Sequence, residues 1–109
     1  MVEVTVYSRL GTTVGFSLKG HANCGEYGSD IVCAAISAVS QTAILGISDV
    51  LKYQAGIVLE NGHCSCILKE TATEEAREKA AIVFDTMVCG LKSIRESNPK
   101  ALKLLYREV

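Results

Sequence analysis

Polar and apolar residues alternate from the start of the chain, with Val2, Val4 and Val6 interleaved with Glu3, Thr5 and Tyr7, the period-two pattern of a strand with one buried face. After a turn at Leu10-Gly11-Thr12, Val14, Phe16 and Leu18 repeat it, so the two runs predict a hairpin. The pattern changes at Asp30, a good helix N-cap, which is followed by Ile31-Val32-Cys33-Ala34-Ala35-Ile36 with no breaker. A helix is predicted from Ile31 to about Leu51. It is apolar almost all round, so one face meets the sheet and another needs a cover, supplied by the second helix or by a second copy of the chain. A homodimer is the expectation. Tyr53 to Glu60 and His63 to Lys69 read as strands joined by Asn61-Gly62, the sequence of a two-residue hairpin turn. That turn sets Glu60 opposite His63, Leu59 opposite Cys64 and Ile57 opposite Cys66. Ala55, Ile57, Leu59, Cys64, Cys66 and Leu68 then share one face, assigned to the core, and Glu60 and His63 share the solvated one. Thr71-Ala72-Thr73-Glu74 reads as a capping box. Ala76, Ala80, Val83, Phe84, Met87, Leu91 and Ile94 recur at helical spacing until Ser97-Asn98-Pro99. The tail from Ala101 to Val109 is rich in helix formers, yet Leu102, Leu104 and Tyr106 alternate like a strand.

Composition narrows the picture. A chain of 109 residues with one proline and 49% hydrophobic content predicts a single domain over residues 1–109. A net charge of −1 without a basic run gives no reason to expect direct nucleic-acid binding. Met1 to Leu10 lacks the apolar core of a signal peptide, so a cytoplasmic location is expected. Ile31 to Ile47 is the most apolar stretch, but Ser37, Ser40, Gln41 and Thr42 interrupt it, which argues against a membrane span. Five cysteines in a reducing compartment read as thiols and not as a disulfide framework.

Chemistry concentrates between Gly20 and Ser40, where His21 stands twelve positions before Cys33. With Asp30 as N-cap, Cys33 occupies the third helical position, beside unpaired N–H groups and the positive end of the helix dipole. Such surroundings lower a thiol pKa from roughly 8.5 into a range of about 3.5 to 7.5. A strand-to-helix turn can fold His21 back over the helix start, where imidazolium stabilises the thiolate further. Between them lies a loop containing Gly25 and Gly28, in which Glu26, Tyr27 and Gly28 are candidates for contact with a peptide; Tyr27 packing at the loop base is the competing reading. Cys24 is a rival nucleophile without a helix terminus to stabilise it. Cys64, Cys66 and Cys89 sit on apolar faces and read as core. His63-Cys64-Ser65-Cys66 places its histidine on the opposite face from its thiols and lacks zinc-type spacing. No metal and no cofactor is expected.

Gly20-His21-Ala22, then Gly28, Asp30-Ile31-Val32-Cys33-Ala34-Ala35 and Ser37 resemble the signature of the Prp family, the ribosomal-processing cysteine proteases, and the likeness spans essentially the whole chain. The resemblance implies His21 and Cys33 as the catalytic pair, with Gly20, Asp30 and Ser37 as supporting positions. It implies a cysteine endopeptidase that removes the short N-terminal extension of large-subunit ribosomal protein twenty-seven, cleaving after an aromatic residue. It also implies that the tail is a strand. The order becomes strand, strand, helix, strand, strand, helix, strand: an α/β fold of the α+β type, a two-layer sandwich with a mainly antiparallel sheet. Whether Asp30 completes a triad stays open, as does whether the Ser37 hydroxyl faces the sulfur or bonds back to the Cys33 carbonyl. Backbone N–H groups at the helix start, including that of Cys33, are the candidate oxyanion hole. Cys24 departs from the family pattern. The alternative from another class is a non-catalytic ribosome-assembly or peptide-binding module using the same groove.

Overall fold

The computed structural model describes residues 1–20 and 27–109, with residues 27–30 described by their backbone alone. The alternating N-terminal runs form strands β1 (Val2–Arg9) and β2 (Thr12–Lys19), paired antiparallel. Their two-residue turn holds Leu10 at φ 54° and Gly11 at φ 79°, the pair of positive values a tight hairpin of this twist requires. Strands β3 (Ala55–Glu60) and β4 (His63–Leu68) form the second hairpin. Its register pairs Glu60 with His63, Leu59 with Cys64 and Ile57 with Cys66, as Asn61-Gly62 predicts. Tyr53 and Gln54 stay outside β3 because the chain turns at Lys52, with φ 59°.

The second hairpin joins the first through β4 against β2, antiparallel, and β5 (Leu102–Glu108) joins β1 in parallel. The sheet order is β3-β4-β2-β1-β5, antiparallel at every pairing except the last. Two helices, α1 (Tyr27–Leu45) and α2 (Glu74–Ser97), connect the parts. This is the two-layer α/β arrangement that the sequence predicts.

One face of the sheet carries the core. Val2, Val4 and Val6 of β1, Val14, Phe16 and Leu18 of β2, and Cys64, Cys66 and Leu68 of β4 are buried there. Ile36, Ala43 and Ile44 of α1 and Ala80, Phe84, Met87 and Leu91 of α2 pack against them. The rings of Phe16 and Phe84 meet edge to face, with centroids 6.1 Å apart, a favourable aromatic geometry. The helices approach each other over small residues: a β-carbon on Gly46 would lie 2.9 Å from Val83, and one on Gly90 would lie 3.2 Å from Val39. After Leu45 the helix loosens into a π-turn, Gly46–Val50, in which the Leu51 N–H donates to the Gly46 carbonyl. The segment Ile31–Val50, with mean hydropathy 1.8, is long and apolar enough to cross a membrane; the fold uses its Ile36, Ala43, Ile44 and Ile47 as core.

Three expectations need correction. The face shared by β3 and β4 is buried only on β4: Cys66 is 0% exposed, whereas its partner Ile57 is 39% and Leu59 is 57% exposed. Register assigns a residue to a face, but burial needs a helix above it, and β3 is the last strand of the sheet. The cap of α2 is Thr73, whose hydroxyl accepts from the Ala76 N–H at 3.1 Å. The capping box of Thr71 with Glu74 is therefore out of register by two residues, although Glu74 and Glu75 do occupy the first turn. Cys89, read as core, is exposed on α2.

At the end of β2, Gly20 has φ 95°, and a β-carbon there would lie 2.8 Å from the Met1 carbonyl oxygen. Gly20→Ala is expected to lower stability by at least about 1–2 kcal/mol through the left-handed backbone alone, measured by urea denaturation. The core thiols give a pH signature. Burial, reinforced by the nearby Cys64, pushes Cys66 up from 9.0 to about 11. The folded protein thus holds its proton where the unfolded chain has lost it. Stability should fall as pH rises from 9 towards 11, and the fall should be shallower in Cys66→Ala.

Candidate active site

A cleft of about 400 Å³ opens where α1 passes the β3-β4 turn. Cys33, Ser37 and Gln41 line its helical wall, a spacing of four residues that keeps all three on one helix face. Leu59, Glu60, Asn61, Gly62 and His63 form the opposite wall. Val2, Leu18, Ile36 and Cys64 supply the apolar floor, and Gly20 lies at one end. The Gly20 N–H donates to the Gly62 carbonyl at 2.9 Å, so the last residue before His21 is tied to the far wall. Positive φ at both Gly20 and Gly62, 95° and 77°, lets the two turns meet.

Three sequence-predicted residues therefore meet in one place: Gly20, Cys33 and Ser37. Cys33 is half-buried and Ser37 exposed. His21, Glu26 and the rival Cys24 lie outside the described residues. Tyr27, Gly28 and Asp30 belong to the opening of α1.

That opening corrects the cap assignment. The helix starts at Tyr27, so Asp30 lies within it and Cys33 falls in the second turn. Gly28 and Ser29 weaken a helix by only about 1 kcal/mol or less each, too little to stop it extending back by a turn. Two consequences follow for the chemistry. The dipole's effect falls off within the first turn, so the helix start favours a Cys33 thiolate less than the third helical position would. The Cys33 N–H is beyond the four unpaired donors at the helix start, which removes it from the candidate oxyanion hole.

The wall contributed by the hairpin turn was not among the expected site residues. Only the β2-β4 pairing brings it beside α1, and no local pattern records that pairing. The other described thiols are poorly suited to nucleophilic work: burial pushes Cys64 upward, Cys66 is fully buried, and Cys89 sits away from the cleft on α2. Among the described residues, no three His, Cys, Asp or Glu side chains group to hold a metal ion.

Comparison with known proteins places this arrangement. Residues 1–103 match the family model described as cysteine protease Prp. The chain is 32% identical over 112 residues to the ribosomal processing cysteine protease Prp of Staphylococcus aureus, covering 97% of each chain. It is 27% identical to the corresponding Bacillus subtilis protein over 107 residues, covering 95% of this chain and 96% of the relative. Among solved structures, the S. aureus ribosomal processing protease Prp with a covalently linked product peptide superposes with a TM-score of 0.80 at 29% identity, over 97% of this chain and 99% of the other. With the match running along nearly the whole length and the Cys33 cleft held by the same fold, the chain belongs to the cysteine protease Prp family.

Proposed function

We propose that this member of the family is the endopeptidase that removes the short N-terminal extension of large-subunit ribosomal protein twenty-seven, cleaving after an aromatic residue. The observation that carries the reading is the cleft itself, in which Cys33 stands beside the glycine that immediately precedes His21. The relatives' description as ribosomal processing proteases supports the substrate class, and the S. aureus structure with a covalently linked product peptide supports a covalent route. In this reading the Cys33 thiolate adds to the scissile carbonyl and the His21 imidazolium gives its proton to the leaving amine. Water, deprotonated by His21, then hydrolyses the thioester. Gly20, the residue before His21, is held against Gly62, while Asp30, Ser37 and the Glu26-Tyr27-Gly28 segment support the pair and the bound peptide.

The protein works in the cytoplasm as a homodimer in this reading. Between α1 and α2 runs an apolar groove of about 570 Å³ with Ala38, Gly46 and Gly90 in its lining and Ile82, 67% exposed, at its margin. A twofold interface places one such patch against its own copy, so that a side chain projecting from one groove meets the other. Sedimentation equilibrium should show a dimer for the native chain and a monomer for Ile82→Glu.

The activity is tested with a peptide copying the extension, followed by mass spectrometry. Cleavage should be lost in Cys33→Ala and reduced by about 10²–10⁴-fold in His21→Ala, the range typical of a lost general base. Undiminished cleavage by Cys33→Ala ends the proposal. Stoichiometric binding without turnover by the native chain points instead to a peptide-binding module.

A further inference from the structure

The outermost strand next to the cleft is unusual in two respects. Leu59 is 57% exposed on the same sheet face as buried Cys64, and it lines the cleft that holds Cys33. Ile57, two residues along on the same face, continues that apolar surface away from the cleft. The strand's free margin is also unguarded. Edge strands normally carry lysine, proline or inward charges that discourage pairing, and the opposite edge, β5, has Lys103, Arg107 and Glu108. By contrast β3 reads Ala55-Gly56-Ile57-Val58-Leu59 before its first charge at Glu60. Among the described residues no strand lies beside its outward backbone groups.

We propose that β3 is the docking strand for the substrate peptide, and that Leu59, with Ile57 behind it, determines specificity by receiving an apolar side chain of that peptide at a position remote from the bond cut at Cys33. The proposal rests on the peptidase reading above. An extended peptide satisfies the open backbone groups by adding as a strand, and alternate side chains then lie over the Leu59 side of the sheet. Continuity decides the occupant. The apolar surface runs directly into the cleft of the nucleophile, so a chain that lies on it is delivered to Cys33. The apolar groove between the two helices shares none of the described residues with the cleft. Leu59 touches substrate and not the reacting atoms, which makes it a specificity determinant and not a catalytic residue.

The test uses a set of peptides copying the extension, each with one residue replaced by alanine, against the native chain, Leu59→Ser, Ile57→Ser and Leu10→Ser. Leu10 is 80% exposed at the far end of the β1-β2 hairpin and serves as the control. One peptide position away from the scissile bond should lose about tenfold or more in kcat/KM on truncation with the native chain, the scale of one buried aliphatic side chain. With Leu59→Ser, kcat/KM on the full peptide should fall by a similar factor, and the same truncation should then cost little further. Leu10→Ser should behave as native. Equal losses on every peptide, or no loss for Leu59→Ser, overturn the proposal. So does a Leu59→Ser chain that sediments as a monomer where the native chain is a dimer, because the strand is then an interface between copies. If no variant turns over any peptide, fluorescence anisotropy with Cys33→Ala separates the two ideas. Leu59-dependent binding keeps the docking strand and rejects the peptidase reading, whereas Leu59-independent binding or none rejects the docking strand.

Discussion

Burial of one sheet face beneath two helices is the interaction from which the remaining geometry descends. The valines of β1, the Phe16 and Leu18 of β2 and the thiols of β4 lie under α1 and α2, and each fully buried side chain of this kind contributes roughly 1.5–3 kcal/mol relative to exposure. Because α1 must turn Ile36, Ala43 and Ile44 inward, the helical period leaves Cys33 and Ser37 beside the sheet at the end of the β3-β4 hairpin and not above its middle. Cys33 is therefore placed by packing, and the cleft is the gap that packing leaves.

How much of this was legible varied with the range of the interaction. The Asn61-Gly62 turn fixed a register within a few residues of itself, and the pairing of Leu59 with Cys64 follows from it. The same local rule says nothing about which strand ends up at the sheet's margin, so it assigns Leu59 to a core that this residue does not enter. The two helix starts show a similar limit. Thr71 and Thr73 are both acceptable caps before Glu74, and Asp30 is an acceptable cap before Ile31, but a cap preference of about 1 kcal/mol is readily outweighed by the conformation of the preceding chain.

The candidate site was legible where chemistry and spacing coincide. Gly20, Cys33 and Ser37, three of the residues that carry the resemblance, line one cleft. The hairpin wall was hidden because its contribution is backbone: the Gly62 carbonyl receives the Gly20 N–H, and no side-chain pattern announces that contact. Placing Cys33 in the second turn of α1 also redistributes the chemical work. A thiol near the third helical position draws on the dipole, whereas one a turn later draws on it less.

The parallel pairing of β5 with β1 separates the two chain ends. Val2 sits opposite Leu102 and Ser8 opposite Glu108, so Met1 lies by Gly20, a residue that lines the cleft, while Val109 lies by the Leu10 turn. Eight residues of strand, about 25 Å at roughly 3.3 Å each, separate those exits. An affinity tag or reporter fused ahead of Met1 would crowd the approach to the thiol, and immobilisation through Val109 would leave that approach facing outward.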